Sequence, residues 1–271
     1  MGKIKGTTKS QGRKHELDKF YTTNEIALYC ISLIEDIKKY DLVIEPSAGS
    51  GAFSKNIEQC IAYDIEPEHE SIIKQDWFKV DKIQFDNKKV LVIGNPPFGT
   101  NGNIALNFIK ESIFADGIAF ILPKSFKKES VKNRIPLNFA LKIEQDLPSN
   151  SFTLNGNTYN VPCVFQYWIK SDTPRTIIKG SVKSDIIEFV DKDKADFRIQ
   201  RVGGNAGKAS KDINKSISSN YFIKNISNID TDILITMINN HIFPTINDTV
   251  GPRSLSKREL VKEIKNITNN F

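Results

Sequence analysis

The chain has 271 residues, of which 39% are hydrophobic, 26% charged and 10% aromatic, a composition that excludes extended disorder, a collagen-like repeat and a disulfide scaffold. At about 150 residues per domain, the length accommodates one large domain or a catalytic domain with a smaller companion. The net charge of +6 is unevenly placed: Lys3, Lys5, Lys9, Arg13 and Lys14 stand without an acid in the first fifteen residues, and eleven Lys or Arg face six Asp or Glu over 197–271, which leaves the middle mildly acidic. Basic ends around an acidic middle suit a polyanionic partner. No apolar run approaches the ~20 residues of a membrane span, and the opening MGKIKGTTKS lacks the apolar segment of a signal peptide, so a cytoplasmic location away from membranes is expected. Cys30, Cys60 and Cys163 are odd in number and widely spaced, with no Cys-x-x-Cys or His pairing, so neither disulfides nor a metal site is expected.

In chain order, residues 1–17 read as a basic arm without apolar periodicity. A helix is expected next, with Asn24 as its N-cap and Ile26, Ala27, Tyr29, Cys30, Leu33, Ile34 and Ile37 on one face. Strands are predicted at 41–45 (DLVIE), 61–65 (IAYDI), 90–94 (VLVIG) and 117–122 (GIAFIL), with helices over 51–60 and 103–115 between them. Such alternation implies a parallel sheet covered by helices on both faces. Two later segments, 138–146 and 163–170, flank LNGNTY (154–159), whose Asn155-Gly156 is a two-residue hairpin signal, so the last strands should turn antiparallel. Beyond residue 171 the periodicity weakens to short β-like runs at 175–190, 197–202 and 221–226, a helix near 230–240, and one from 257 with Ser256 and Glu259 as a capping box. The expected organisation is therefore a basic arm (1–17), an α/β domain (18–171) and a small α+β region (172–271).

Four segments carry chemistry. EPSAGSGAF (45–53) follows a hydrophobic strand, where Gly49 and Gly51 let a ligand approach the backbone and Glu45 suits a cationic amino-acid head; Ser54 stands where a dinucleotide fingerprint needs a third glycine. Asp64 closes the next strand and can accept both hydroxyls of a ribose. In QDWF (75–78), Asp76 can accept from an adenine amine while Trp77 or Phe78 packs on the ring. In GNPPFG (94–99) two prolines fix the backbone and remove donors, so the carbonyls of Asn95 and Pro96 and the Asn95 side chain can act as acceptors. Acceptors holding the hydrogens of an exocyclic base amine release its delocalised lone pair, and Phe98 offers a face for an extruded base. Further on, Gly203, Gly204 and Gly207 form a loop flanked by Lys208 and Lys211 that is suited to phosphates.

Over residues 18 to about 170 these elements, in this order, resemble the S-adenosylmethionine-dependent amino methyltransferases, most closely the N6-adenine DNA methyltransferases in their gamma-type arrangement. The resemblance implies a Rossmann-like class I methyltransferase fold, with Asn95, Pro96, Pro97 and Phe98 as the catalytic tetrad and no metal. It places Glu45, Ser47, Ala48, Gly49, Gly51, Asp64, Ile65, Asp76, Trp77, Phe78 and, beside its catalytic role, Asn95 at S-adenosylmethionine, with Phe20, Tyr21 and Thr22 of DKFYTT (18–23) at the methionine end. It also places Phe152 of PSNSF (148–152) against the target base. DNA is the expected partner, with RNA as the alternative; a protein glutamine methyltransferase and an inactive nucleic-acid-binding subunit are the remaining rivals. The C-terminal stretch of about 100 residues is the expected region of substrate recognition.

Overall fold

The computed structural model describes residues 20–154, 157–249 and 251–269, so the basic arm, Asn155 and Gly156 lie outside the described residues. The chain runs β1 (Tyr21–Thr22), α1 (Asn24–Ser32), β2 (Leu42–Glu45), β3 (Cys60–Asp64), β4 (Ile73–Lys74), β5 (Val90–Gly94), α2 (Asn103–Glu111), β6 (Gly117–Pro123), α3 (Glu129–Lys132), β7 (Phe139–Asp146), β8 (Phe152–Leu154), β9 (Asn157–Tyr159) and β10 (Cys163–Lys170). Seven of these strands form one sheet in the order β4-β3-β2-β5-β6-β10-β7. Every strand points the same way except β10, which is antiparallel to both β6 and β7. This is the Rossmann-like, class I methyltransferase architecture that the resemblance implies.

Alternation along the strands builds the two layers. Leu42, Ile44, Val90, Val92, Ile118 and Phe120 face one way and pack with Leu106, Phe108 and Ile109 of α2. Their neighbours Val43, Leu91, Ile93, Ala119 and Ile121 face the other way and pack with Ile26, Ala27 and Cys30 of α1. A strand buried on both faces reads as a continuous apolar run, which is why VLVIG and GIAFIL are legible.

Three local expectations are corrected. Thr23, not Asn24, caps α1, accepting from the Ile26 amide, and the helix stops at Ser32, short of Ile37. The helix expected over 51–60 is one α-type bond, Lys55 N–H to Gly51 O at 3.2 Å, followed by a 3₁₀ turn over Ser54–Asn56. Gly49 and Gly51 adopt positive φ, which is not helical, and Glu45 rather than a further helical turn takes up the Phe53 and Ser54 amides. The hairpin signal does not join the two long antiparallel strands. It lies between β8 and β9, which pair with each other and add β1 to form a separate three-stranded sheet.

The C-terminal residues form β11 (Ile187–Phe189), β12 (Phe197–Gln200), β13 (Ala209–Ser210), β14 (Asn220–Asn225), α4 (Thr231–Asn240) and α5 (Lys257–Thr268). Their antiparallel sheet, β11-β14-β12-β13, buries Ile187, Phe197, Ile199 and Ile223 against Leu234 and Ile238 of α4 and Leu260 and Ile264 of α5. The expected capping box of α5 is present, with Glu259 N–H donating to Ser256 Oγ and Ser256 N–H to Glu259 Oε2. The β-like run expected over 175–190 is a strand only at 187–189; Ile177, Ile178 and Val182 are exposed. Arg175 instead ties this segment to the large sheet, stacking over Trp168 at 4.9 Å and donating to the Phe139 carbonyl. Lys128 bridges the two sheets' territories by donating to Ser254 O at 3.1 Å and pairing with Glu259.

Among the described residues, no helix is long and apolar enough to cross a membrane, and no group of three or more His, Cys, Asp or Glu could hold a metal ion.

Candidate functional site

Strand order outward from β2 reverses between β2 and β5, and in an open parallel sheet the crevice beyond the carboxyl ends at such a reversal accepts ligands. Both glycine-bearing turns leave the sheet there. Gly94 lies so close to Glu45 that a Cβ on it would stand 3.4 Å from Glu45 Cγ, and Ser47 Oγ donates to the Asn95 carbonyl at 3.3 Å. Topology thus brings together two segments that are fifty residues apart in the chain.

A cavity of about 1360 Å³ opens at this point. Phe20, Tyr21, Thr22, Glu45, Ser47, Ala48, Gly49, Asp64, Ile65, Asp76, Trp77, Phe78, Asn95 and Pro97 all line it, whereas Gly51 is buried beside it and does not. A much smaller cleft of about 20 Å³ adjoins the tetrad, bounded by Phe20, Asn95, Pro96, Pro97 and Phe98. Pro96 and Phe98 line this second cleft and not the larger cavity.

Within the cavity, Asp64 organises the backbone: Oδ2 accepts from Gly49 N–H at 2.7 Å and Oδ1 from Glu66 N–H at 2.8 Å. A carboxylate has about four acceptor sites, so two remain for hydroxyl groups. Asp76 caps the turn over Trp77–Lys79 through the Phe78 amide at 3.1 Å. Of the two aromatic candidates, Trp77 is 1% exposed, in the core against Tyr63 and Phe114, and Phe78 is 43% exposed with its ring edge-to-face on Phe108. Phe78 therefore has the free face.

Glu45 is 2% exposed, and its two oxygens accept from the Phe53 and Ser54 amides at 3.3 and 2.8 Å, so this carboxylate caps the turn as well as lining the cavity. Burial pushes its carboxyl up to about 7, with the Ser54 and Phe53 amides pulling the other way. An acid that holds its proton more tightly when folded than when unfolded stabilises the fold at low pH and loses that contribution as pH rises, here from about 4.5 to about 7. Denaturant titrations across that window should show stability falling with pH in the wild type, with the fall reduced in Glu45→Gln.

The tetrad itself has a specific geometry. Asn95 Nδ2 donates to the Phe20 carbonyl at 3.1 Å, which fixes the amide plane and leaves Oδ1 buried without a hydrogen-bond partner. Four buried side-chain polar atoms among the described residues lack such a partner, and three of them, Thr22 Oγ1, Trp77 Nε1 and Asn95 Oδ1, belong to residues that line this one cavity. Buried polar atoms are rarely left unsatisfied, so their concentration here indicates a site built for a polar ligand.

Residues missed by sequence reasoning follow the tetrad: Thr100, in the 3₁₀ turn before α2, and Asn103, Ile104 and Phe108 of α2 also line the cavity, as does Glu66 after β3. Ile104 and Phe108, four residues apart on the helix immediately after the tetrad, were the available signal. Gly99 takes φ +65°, and a Cβ on it would stand 2.4 Å from Ile104 Cγ1, so this glycine sets how closely α2 approaches the tetrad.

Phe152 is corrected. Expected against a target base, it is 0% exposed and packs in the α1-side core, because its pairing with Thr22 turns it inward. Lys208 and Lys211 lie outside the cavity and have partners of their own: Lys208 Nζ donates to Asn239 O at 2.6 Å, and Lys211 pairs with Asp232 at 2.7 Å. Gly207 takes φ +86° and lies so close to Phe243 that a Cβ would meet its ring at 2.9 Å, which is a packing reason for that glycine. Both ammonium groups are exposed, and exposed contacts of this kind are weak, so replacing both lysines by Ala is the test: the salt dependence of nucleic-acid binding should flatten by nearly two units in the log–log slope, at ~0.9 per duplex phosphate contact, and parallel lines would remove them as phosphate ligands.

No family model matches the chain, and no curated protein matches it. Among solved structures, the chain is similar to a protein from Pyrococcus horikoshii provisionally described as an RNA methyltransferase, at 15% identity and a TM-score of 0.43 over 57% of this chain and 88% of that one. It is also similar to a Thermoplasma acidophilum protein, at 14% identity and a TM-score of 0.37 over 55% of this chain and 98% of the other.

Proposed function

We propose that this chain transfers a methyl group from S-adenosylmethionine to the exocyclic N6 amine of adenine in DNA, with the target base extruded from the duplex. The observation that carries the reading is Asn95 Oδ1, a buried acceptor without a partner, held in orientation by the Nδ2 bond to Phe20 O at the strand-order reversal. The residues present fit the cofactor. Asp64 retains acceptor capacity for ribose hydroxyls, Asp76 and the exposed face of Phe78 suit an adenine ring, and Thr22 Oγ1 adds an unpaired hydroxyl on β1.

When bound, S-adenosylmethionine supplies an activated methyl group on a sulfonium. The protein's contribution is placement. Asn95 Oδ1 and the Pro96 carbonyl would accept the two amine hydrogens, so that the nitrogen lone pair is withdrawn from the ring and free to act as nucleophile. Pro96 and Pro97 fix that backbone and offer no competing donor, and Phe98 supports the base. Holding the amine in one orientation beside the cofactor would supply most of the acceleration, and no side chain would be needed as a general base before attack, because the amine's proton can pass to solvent afterwards. Residues 18–171 form the catalytic part in this reading, and 172–271 position the nucleic acid.

The test is incubation of the full chain with methyl-labelled S-adenosylmethionine and, separately, duplex DNA, RNA and a glutamine-containing peptide, followed by digestion and chromatography. Label in N6-methyladenine from DNA is the expected result. Label in RNA adenine moves the activity to the other polymer, label in the peptide identifies a glutamine methyltransferase, and label in none overturns the reading.

A further inference from the structure

The outer wall of the cavity is assembled from three places distant in sequence. β1 is carried over the cavity by the small sheet, with Tyr21 opposite Thr153, Thr22 opposite Phe152, and Thr23 N–H donating to Ser151 O at 3.1 Å. From β1 the Tyr21 ring lies on the glycine turn, so that a Cβ on Gly49 would stand 3.0 Å from Tyr21 Cε1. The Tyr21 hydroxyl then donates to Glu68 Oε1, in the loop after β3. That loop is itself tied to the same turn, with Glu68 N–H donating to Gly49 O at 2.9 Å and Gly49 N–H to Asp64 Oδ2 at 2.7 Å. Tyr21, Gly49, Asp64 and Glu66 all line the cavity, while the Glu68 side chain stands at the exposed outer end of the bond.

We propose that Tyr21 and Glu68 form a clasp across the cofactor-binding part of the cavity, which opens for S-adenosylmethionine to enter and for its demethylated product to leave. The proposal rests on the cofactor assignment made above and adds to it a positioning pair that joins β1 to the loop after β3. The bond is suited to a clasp: it joins strand to loop at the solvent boundary, where breaking it exposes both partners to water at little cost. The phenol keeps its proton, because burial together with the carboxylates of Glu68, Asp64 and Glu66 raises its pKa, so it serves as donor across the neutral range. Lids of this kind set residence times as well as affinity.

Cofactor exchange distinguishes a clasp from a structural tie. Tyr21→Phe keeps the ring on Gly49 and removes the hydroxyl alone; Glu68→Ala removes the acceptor, and Glu68→Gln retains one. Stopped-flow binding and displacement of S-adenosylmethionine and S-adenosylhomocysteine, followed by tryptophan fluorescence in a Trp168→Phe background that leaves Trp77 as the one reporter, should show dissociation about fivefold faster in Tyr21→Phe and in Glu68→Ala, the effect of one modest hydrogen bond. The double variant should be no faster than either single one, and Glu68→Gln should lie near wild type. Association should quicken as well, so that affinity changes less than either rate. Unchanged rates, or additive effects, in variants of a wild type that binds the cofactor overturn the clasp alone. A wild type that binds neither molecule overturns the cofactor assignment, and the clasp with it.

Discussion

Asn95→Ala is expected to lower methyl transfer by about 100- to 1000-fold, the range seen when one preorganised hydrogen-bonding group is removed from a reacting centre. Cofactor affinity should stay within a few-fold of wild type. The separation follows from the geometry. Asn95 Nδ2 is engaged with Phe20 O, and the free atom is Oδ1, an acceptor, whereas the acids suited to a ribose and an adenine are Asp64 and Asp76 on other turns. Ala at this position removes the acceptor and also releases Phe20, so a thermal-unfolding control belongs with the assay. Calorimetry with S-adenosylmethionine and transfer of labelled methyl to adenine are measured on the same preparation. Turnover near wild type would remove Asn95 from the chemistry, and a large loss of cofactor affinity would make it a binding residue.

Asp64→Ala should weaken S-adenosylmethionine binding at least tenfold. A hydrogen bond to a charged acceptor contributes ~1.5–3 kcal/mol, and the ribose offers two hydroxyls to this carboxylate. The structure adds a second route to the same loss: Asp64 also receives the amides of Gly49 and Glu66, so its removal leaves the glycine turn without its anchor. Asp64→Asn grades the two routes, since its one oxygen keeps one of the two backbone amides while its NH2 loses the other together with the charge. If the turn anchor dominates, thermal stability and affinity should fall in step from wild type through Asp64→Asn to Asp64→Ala; if the ribose contact dominates, Asp64→Asn should lose most of the affinity while retaining more stability than Asp64→Ala. Unchanged affinity in Asp64→Ala would take this residue out of the cofactor site.

Much of the fold is legible in the sequence because its signals are short-range. VLVIG and GIAFIL declare strands buried on both faces, and Ser256 and Glu259 declare a helix start; each depends on residues within a few positions of one another. The order of the glycine turn, Asp64, Asp76 and the tetrad places all of them at the carboxyl edge of a parallel sheet, and the cavity there is lined by residues from each. Tertiary structure alone decided the rest. Asn155-Gly156 marks a hairpin wherever it occurs, but that β8 and β9 recruit β1 across more than 130 residues is a matter of long-range pairing. Phe78 and Phe152 look alike in sequence, yet one presents a face to the cavity and the other is wholly enclosed, because exposure is set by what the rest of the chain packs against each ring. Lys208 and Lys211 carry the same charge on paper as any phosphate ligand, and the carbonyl of Asn239 and the carboxylate of Asp232, brought to them by α4, engage that charge within the fold. Local propensity and pattern are properties of neighbouring residues, whereas burial, orientation and the partner of a charge are properties of the whole packed chain.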